Sequence, residues 1–371
     1  MIAKLRRWTL GFLLLSQTAC LQWMVPHRAE ESATVTPACP QVKTIPAEEL
    51  PPATLEHFGP DAEVDAIPRY EAEIRAKVMS GRFDELEKTA ANLRTTKERF
   101  AGGAWRLERF YTGAGLPLND NKAPDSEWKP QLDKLETWVE ERPDSLTAHI
   151  ALGRALLEYG WRARGEGYAD TVTEDGNRLF SQRVTDASRV LASVGASKNA
   201  DPAWYSVMLE IGISQGWNRA EFEKVFEEGV SVAPLYHYLY FDKARYLMPR
   251  WYGRLGDDER FMDESRRRLG GKEGSAMYYL IGEYLFPYYG FRTFITDSKV
   301  CWEIMKEGYF AMESLHSPNV SHMNYMAKMC ALAREKPMCK WLFIRLGDQW
   351  DPAPWPKGKP DFEEYKSWAL S

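Results

Sequence analysis

The sequence predicts an all-α protein built as an irregular array of antiparallel helical hairpins, an α-solenoid. Beyond residue 66, apolar residues recur at spacings of three and four along most of the chain, which is the period of an amphipathic helix. Gly or Pro residues separate consecutive helical stretches, and no alternating stretch of useful length predicts a strand. We therefore expect helices that pair with their sequence neighbours.

The predicted hairpins follow one another along the chain. Apolar positions from Ile67 to Val78 form one helical stripe, Gly81 ends it, and Asp84 is expected to cap a second helix that carries Leu86 on its apolar face. Similar pairs are predicted at residues 132–157, 203–232 and 321–346. In the C-terminal tail, Trp355 and Trp368 are expected to cover the open face of the last pair.

The N-terminus has the pattern of a secretory signal. Basic residues precede a short apolar stretch at residues 8–25, so the positive-inside rule places the rest of the chain outside the cytoplasm. Residues 16–20, Ser-Gln-Thr-Ala-Cys, resemble the lipobox of bacterial lipoproteins, with Cys20 as the lipidated residue, although Gln17 departs from the pattern. A cleaved signal and an uncleaved anchor stay open as alternatives. We expect an extracytoplasmic, membrane-anchored protein on the periplasmic side or at the outer membrane.

Three regions follow from this pattern. Residues 1–25 are a signal peptide or an N-terminal membrane anchor, and residues 26–65 are a Pro-rich tether with few large apolar residues. About 40 extended residues at about 3 Å each would hold the folded part on the order of 100 Å from the membrane. Residues 66–371 form the helical-repeat domain, which is long enough for one large or two modest cores.

The charge balance argues against nucleic acid as a partner. The net charge is −5 and the isoelectric point is about 5.8, whereas phosphate binding requires a basic face. Hydrophobic residues make up 44% of the chain, as in a globular protein.

Several residues resemble those of tetratricopeptide repeats. Pro143 and Gly153 stand where such repeats place a closing Pro and a small residue of the first helix, and Gly229 and Pro234 match the second helix. The loop at residues 162–174 interrupts the period of about 34 residues. The expected fold is therefore tetratricopeptide-like, with irregular repeats.

Four short stretches resemble a bacterial family, the domain of unknown function 4034. They are Trp161-Arg-Ala-Arg-Gly165, Asp201-Pro-Ala-Trp-Tyr205, Gly216-Trp217 and Pro249-Arg-Trp-Tyr-Gly253. The resemblance covers roughly residues 83–355 and implies an α-helical domain of this size. It brings no catalytic residues with it.

Known catalytic patterns are absent from the sequence. There is no Gly-rich phosphate loop, no Gly-x-Ser-x-Gly elbow and no His-Glu-x-x-His, and the six His residues are scattered, so we expect no cofactor and no metal. Cys330 and Cys339 lie on either side of a predicted turn, where a disulfide is geometrically feasible in an oxidising compartment. The alternative is two buried thiols that pack as small apolar residues.

Aromatic residues are concentrated between residues 236 and 294. Some of them belong to the expected core, but the cluster also suits a groove for peptide side chains or glycan rings. The candidate ligand-binding residues are Tyr236, Tyr240, Arg250, Trp251, Tyr252, Tyr288 and Tyr289.

These observations favour a non-catalytic, envelope-tethered helical-repeat protein that binds a protein, a peptide or a cell-wall glycan, with the membrane contacted through the N-terminus. One alternative is a hydrolase acting on cell-wall polysaccharide, with Asp242 and Glu283 as its carboxylate pair. The other is a structural, self-associating envelope protein.

Overall fold

The computed structural model describes residues 50–117, 123–165, 172–290, 294 and 300–371. These residues form fifteen α-helices and one 3-10 helix and contain no β-strand, so the predicted all-α helical-repeat class is confirmed. The helices are α1 (Ala66–Met79), α2 (Phe83–Thr96), α3 (Arg106–Gly115), α4 (Asp125–Glu141), α5 (Leu146–Arg164), α6 (Glu174–Ser193), the 3-10 helix (Gly195–Ala200), α7 (Pro202–Gln215), α8 (Arg219–Val232), α9 (His237–Tyr246), α10 (Asp257–Leu269), α11 (Gly271–Leu285), α12 (Trp302–His316), α13 (Val320–Leu332), α14 (Lys336–Leu346) and α15 (Lys359–Leu370).

Within this part of the chain, none of the helices combines the length and the hydropathy that a membrane span requires. The predicted signal or anchor at residues 1–25, including Cys20, lies outside the described residues, as does the predicted tether up to residue 49.

Polar side chains fix the start of several helices. Each accepts a hydrogen bond from a backbone N–H of the first turn, which would otherwise lack a partner. The capping residues are Ser145, Thr173, Asp201, Asn218 and Asn319. These capping residues therefore fix the position at which each helix begins.

Helix α2 begins differently from the sequence-based expectation. Its N-cap is Arg82, which makes no side-chain cap bond, so the prediction that Asp84 caps the helix is wrong. Asp84 instead accepts a hydrogen bond of 2.6 Å from Arg142. Phe83 is buried and stacks on Trp138 with 5.4 Å between ring centroids. Because of this packing, the helix begins at Phe83, one residue before Asp84.

The odd-numbered helices from α3 to α11 contact one another in succession, and each even-numbered helix from α4 to α10 packs against the odd-numbered helix that follows it. Small residues allow the close approaches. A Cβ on Gly153 would lie 2.9 Å from the Leu191 side chain, and one on Gly229 would lie 2.9 Å from Tyr205. The two Gly positions that resemble tetratricopeptide repeats thus lie at helix–helix contacts.

Residues 50–65, which we name the N-terminal strap, pack against the last helices. The Trp341 Nε1 atom donates to the carbonyl oxygen of Pro51 at 2.8 Å, the backbone N–H of Glu56 donates to the Arg345 carbonyl at 2.8 Å, and the Arg345 side chain pairs with the Glu56 carboxylate at 3.1 Å. The sequence predicts that this segment is part of the tether. In the structure it belongs to the folded domain, which therefore extends at least to residue 50.

A loop at residues 99–105, which we name the closing loop, joins the first hairpins to α12 and α13. The backbone N–H of Gly102 donates to the His316 carbonyl at 3.1 Å, and Asn319 Nδ2 donates to the Ala101 carbonyl at 2.9 Å. We name this junction the seam. Through the seam and the strap, segments near the start of the folded domain contact its last helices.

The C-terminal tail closes the last hairpin as the sequence predicts. Trp355 is buried, its ring packs against Phe343 and Phe362, and its Nε1 atom donates to Asn324 Oδ1 at 3.0 Å. Trp368 is half-buried against the same core.

The cysteines follow the second of the two alternatives left open by the sequence. Cys330 and Cys339 are free and buried, so the bridge between them is not formed. Cys339 Sγ instead donates to the Ala327 carbonyl at 3.7 Å, inside the apolar contact of α13 with α14. Cys301, in contrast, is disulfide-bonded.

Candidate functional site

A cleft with a volume of about 590 Å³ lies at the seam. We name it the central cleft. It is lined by residues from the strap, α1, the closing loop, α3, α9, α11 with the turn that follows it, and the start of α13, namely Asp61, Glu63, Val64, Ile67, Ala101, Gly102, Ala104, Arg109, His237, Tyr238, Phe241, Leu280, Glu283, Tyr284, Pro287, Tyr288, Asn319, Ser321, His322 and Tyr325. The cleft therefore depends on segments from both ends of the chain.

One wall of the cleft is a row of aromatic rings from α9 and α11. Tyr238 and Phe241 lie in contact with 5.7 Å between centroids, and Phe241 stacks on Tyr284 at 4.7 Å with nearly parallel planes. Tyr284 contacts Tyr288, in the turn that follows α11, at 5.4 Å. Residues three apart share a helix face, which aligns Tyr238 with Phe241, and the packing of α11 on α9 adds Tyr284 to the row.

Arg109 of α3 holds this wall to the first hairpin. Its Nε and Nη2 atoms donate to the Tyr238 hydroxyl at 3.2 and 3.0 Å, and its Nη1 atom donates to Glu71 at 3.3 Å. The carboxylate of Glu71 compensates the guanidinium charge. Arg109 therefore positions Tyr238 and is itself paired.

Glu283 and His322 form a largely buried ion pair in the lining of the cleft, and each side chain is 14% exposed. His322 Nδ1 lies 2.7 Å from both carboxylate oxygens of Glu283, and Tyr279 also donates to this carboxylate. His322 Nε2 faces the Gly102 carbonyl at 3.1 Å. Although burial alone would lower it, the charge of Glu283 and the hydrogen bond to it raise the pKa of His322. Since both ring nitrogens face acceptors, the doubly protonated imidazolium satisfies this geometry, and neither nitrogen is free to act as a base.

The other two histidines near the cleft are held neutral. Burial, reinforced by the positive charge of Arg99, lowers the pKa of His316 to about 4. The neutral ring accepts a hydrogen bond from Arg99 Nη1 at its Nε2 atom, 2.9 Å away. Burial and the same Arg99 charge also lower the pKa of His237, which lines the cleft beside Tyr238.

A buried ionic network lies behind the aromatic wall. Arg154 pairs with Glu108, and the Tyr236 hydroxyl donates to Glu108 at 2.5 Å. Asp242 accepts a hydrogen bond of 2.7 Å from Ser206, and burial raises its pKa well above the usual value for a carboxyl group. These groups are core residues that connect α3, α5, α7 and α9.

The carboxylate pair of the hydrolase alternative is not assembled in the cleft. Glu283 lines the cleft, but its carboxylate already accepts hydrogen bonds from His322 and Tyr279. Asp242 is buried in the ionic network and is not part of the lining. Proton transfer to a substrate needs a group within hydrogen-bond reach of it. The expectation that both carboxylates face one ligand is therefore corrected.

Two of the candidate ligand-binding tyrosines belong to the core. Tyr236 is fully buried and bonded to Glu108, and Tyr240 is fully buried with its hydroxyl donating to the Pro234 carbonyl at 2.8 Å. The sequence pattern placed them on a neighbouring helix face. In the array, that face is covered by the adjacent helices.

The remaining candidates separate into one cleft residue and four others. Tyr288 lines the cleft, and the exposed Arg250 lies over its ring at 5.9 Å. Trp251 packs edge-on against Trp161, and the Tyr252 hydroxyl donates to the Ile213 carbonyl at 2.6 Å. Tyr289 donates to Asp258. Of the seven candidates, Tyr288 is thus the one that contributes to the lining.

The residues that the sequence singles out include few of those that line the cleft. Tyr238, Phe241 and Tyr284 lie inside the aromatic-rich segment, and their helical spacing was a usable signal. His322 gave no such signal because its partner Glu283 is 39 residues away. In the described ranges, no group of three or more His, Cys, Asp or Glu residues is arranged to hold a metal ion.

No protein-family model, curated protein sequence or solved structure matches this chain. Its function therefore has to be argued from the geometry of the cleft and from the sequence.

Proposed function

We propose that this protein is a non-catalytic, envelope-tethered helical-repeat protein that binds a peptide segment of a partner protein in the central cleft. The observation that carries the proposal is the cleft itself, because about 590 Å³ of space is bounded by aromatic and aliphatic side chains with a few polar groups. Binding sites for small ligands and peptide side chains have this character.

The chemistry of the polar groups favours binding over catalysis. Three carboxylates line the cleft. Glu283 is paired with His322, whose two ring nitrogens are already hydrogen-bonded, and Asp61 and Glu63 are each paired with an arginine. An acid–base mechanism needs a group free to exchange protons with the ligand. The pair instead serves to hold α11, α13 and the closing loop together around the ligand.

The compartment and the family are part of the same proposal. The basic and apolar N-terminal pattern supports export, with Cys20 as the lipidation candidate. The residues that resemble the domain of unknown function 4034 support membership of that bacterial family.

Retention of partners by cleft variants tests the proposal. Val64 lines the cleft, and its side chain is partly exposed, so Val64→Arg would block the cleft without opening the core. Leu255→Arg is the matched control, because Leu255 is 74% exposed and is not part of the lining.

We expect the full chain to retain specific envelope proteins from detergent extracts, the Leu255→Arg variant to retain the same set, and Val64→Arg to lose it. Quantitative mass spectrometry of the retained proteins provides the readout. Equal retention by both variants would place binding outside the cleft and contradict the proposal.

A further inference from the structure

The disulfide partner of Cys301 is narrowed by elimination to two residues. The sequence holds five cysteines, at positions 20, 39, 301, 330 and 339, and Cys301 is disulfide-bonded. Cys330 and Cys339 are both free and buried, so neither of them is the partner. The partner is therefore Cys20 or Cys39, and both of these lie outside the described residues.

The strap runs alongside α12, with residue numbers that increase in the same direction. At the C-terminal end of α12, the Ala62 carbonyl accepts a hydrogen bond of 3.0 Å from the backbone N–H of Val320. Earlier in the strap, the Arg345 side chain joins Glu56, at 3.1 Å, to Glu313 of α12, at 3.0 Å. Lower residue numbers in the strap thus correspond to lower residue numbers in α12.

The start of the strap lies beside the middle of α12. Trp341 Nε1 donates to the Pro51 carbonyl, and the Trp341 ring packs on Phe310 with 5.6 Å between ring centroids. Cys301 is the N-cap residue of α12. It precedes Phe310 by roughly nine positions, which at about 1.5 Å each is about 14 Å along the helix. The path of the strap towards lower residue numbers therefore leads to Cys301.

Cys39 is within reach of Cys301 and is the better placed of the two partners. Residues 39–50 span up to about 36 Å when extended, which exceeds the distance to cover. Cys20, in contrast, is the lipidation candidate, whose sulfur would carry the lipid, and in an uncleaved anchor it would lie inside the apolar stretch at residues 8–25. Each of the alternatives for the N-terminus leaves Cys39 on the exported side.

We propose that Cys39 and Cys301 form a disulfide that fastens the chain before the strap to the N-terminal end of α12. This inference goes beyond peptide binding, but it rests on the exported location within the proposed function, since disulfides persist in oxidising compartments. The two thiols lose two protons and two electrons when the S–S bond forms. A disulfide of an envelope oxidoreductase accepts them by thiol–disulfide exchange and becomes a dithiol.

The cross-link limits how far the domain can lie from the membrane. If the chain is anchored at Cys20, residues 21–38 are the span between the anchor and the cross-link. At about 3 Å per residue this span reaches about 55 Å, whereas residues 21–49 would reach about 90 Å without the bond. The disulfide therefore holds the central cleft closer to the membrane than the Pro-rich composition alone suggests.

Peptide mapping of the full chain identifies the bridge. Cells are quenched with acid, free thiols are alkylated with N-ethylmaleimide, and the purified protein is digested with trypsin without reductant. Cys20, Cys39 and Cys301 fall on different tryptic peptides, within residues 8–28, 29–43 and 300–306. We expect mass spectrometry to find the second of these peptides linked to the third, and the linked species to disappear when reductant is added.

Two variants form a matched pair, because neither changes a side chain of the described core. Cys39→Ser is expected to lose the linked species and to leave Cys301 as a thiol that is alkylated after denaturation. Cys20→Ser, the control, is expected to keep the link. The urea midpoint of Cys39→Ser should fall below that of Cys20→Ser, since a bridge that closes a long loop restricts the unfolded chain.

A link between Cys20 and Cys301 would overturn the inference. Free thiols at both Cys39 and Cys301, in cells and after reoxidation of the purified protein with oxidised glutathione, would also overturn it. A link that forms only in the reoxidised sample would support the pairing and contradict the exported location. Peptide binding in the cleft is decided separately, by the comparison of Val64→Arg with Leu255→Arg.

Discussion

His322 bonds to groups that are remote from it in sequence. Its Nδ1 atom meets Glu283, 39 positions away, and its Nε2 atom meets the carbonyl of Gly102, 220 positions away. A buried ion pair of this kind adds less to stability than its attraction suggests, because both charges are desolvated. Removing one partner is costly, however, since the other charge is then left without compensation.

The His322→Gln variant is expected to lose about 3 kcal/mol of unfolding free energy near pH 6, because Glu283 would remain buried without its cation. Since the folded protein raises the pKa of His322, the contribution of the pair is fully present below about pH 6.5 and is lost as the pH rises through the raised value. Urea unfolding at pH 6 and pH 9 measures both effects. A constant difference between the variant and the wild type across this range would contradict the assignment of charge.

The lowered pKa of His316 predicts the opposite dependence of stability on pH. Its pKa is lowered to about 4, mainly by burial and by Arg99, so the folded state holds the ring neutral. The contribution of the neutral His316 ring to the free energy of unfolding is therefore fully present above about pH 6.5 and is lost as the pH decreases towards 4. Unfolding free energies of the wild type and His316→Gln between pH 4 and 7 should show a shallower acid loss in the variant. Parallel curves would indicate that His316 does not titrate as described.

The reactivity of Cys330 and Cys339 provides a chemical test of their state. Burial raises the pKa of the Cys330 thiol well above its usual value and that of Cys339 to about 12, and only the thiolate reacts. Neither should react with iodoacetamide in the native protein at pH 8, and both should react after denaturation without reductant. Peptide mass spectrometry identifies the modified sites. Recovery of a peptide with Cys330 linked to Cys339 would restore the bridged alternative.

The closing loop shows how one element controls the seam. Gly102 has a φ of +80°, and a Cβ at this position would overlap the side chains of Asn319 and His322. Gly81, between α1 and α2, has a similar φ of +67° but has open space around its Cα. The two glycines thus share a positive φ, which strains any residue with a Cβ, and differ in packing.

We expect Gly81→Ala to cost about 1 kcal/mol of unfolding free energy from backbone strain alone. Gly102→Ala should cost about 2 to 4 kcal/mol, because overpacking at the seam is added to the strain. Thermal or urea unfolding of both variants provides the comparison. An equal loss in the two proteins would mean that the seam yields to the extra methyl group.

The helices were predictable from the sequence because local features specify each of them. These features are the period of the apolar residues and turn residues such as Gly81 and Pro143. The seam was not, because Glu283, His322 and Gly102 carry no mutual signal in a single sequence. The start of α2 was misjudged since the packing of Phe83 on Trp138 outweighed the capping preference of Asp84. Tyr236 and Tyr240 were candidates for binding because a single sequence does not show which helix faces the neighbouring helices cover.

At the scale of the whole molecule, the strap joins the start of the folded domain to its last helices. Its Pro content suggested an extended tether, yet Trp341 and Arg345 supply partners for its backbone and for Glu56. The driving contacts come from the far end of the chain, so local composition could not reveal them. The strap also carries Val64, so the cleft is incomplete without it.

Two shortened chains test this role. A chain that begins at residue 50 should keep the strap, whereas one that begins at residue 66 loses the hydrogen bonds to Trp341 and Arg345. We expect the second to be less stable by about 2 kcal/mol or more, since hydrogen bonds to charged groups contribute about 1.5 to 3 kcal/mol. Urea unfolding of both proteins gives the difference. Equal midpoints and slopes would return residues 50–65 to the tether.

The contact of Pro51 with Trp341 has a consequence for biosynthesis, because it joins positions 290 residues apart. A ribosome adds about 5 to 20 residues per second, so the start of the domain waits about 15 seconds or longer for its partner to be made. During that interval the early hairpins can form from local contacts, but their apolar edge has nothing to cover it. A nascent chain of this kind is a natural client for chaperones that shield exposed apolar surface until the last helices emerge.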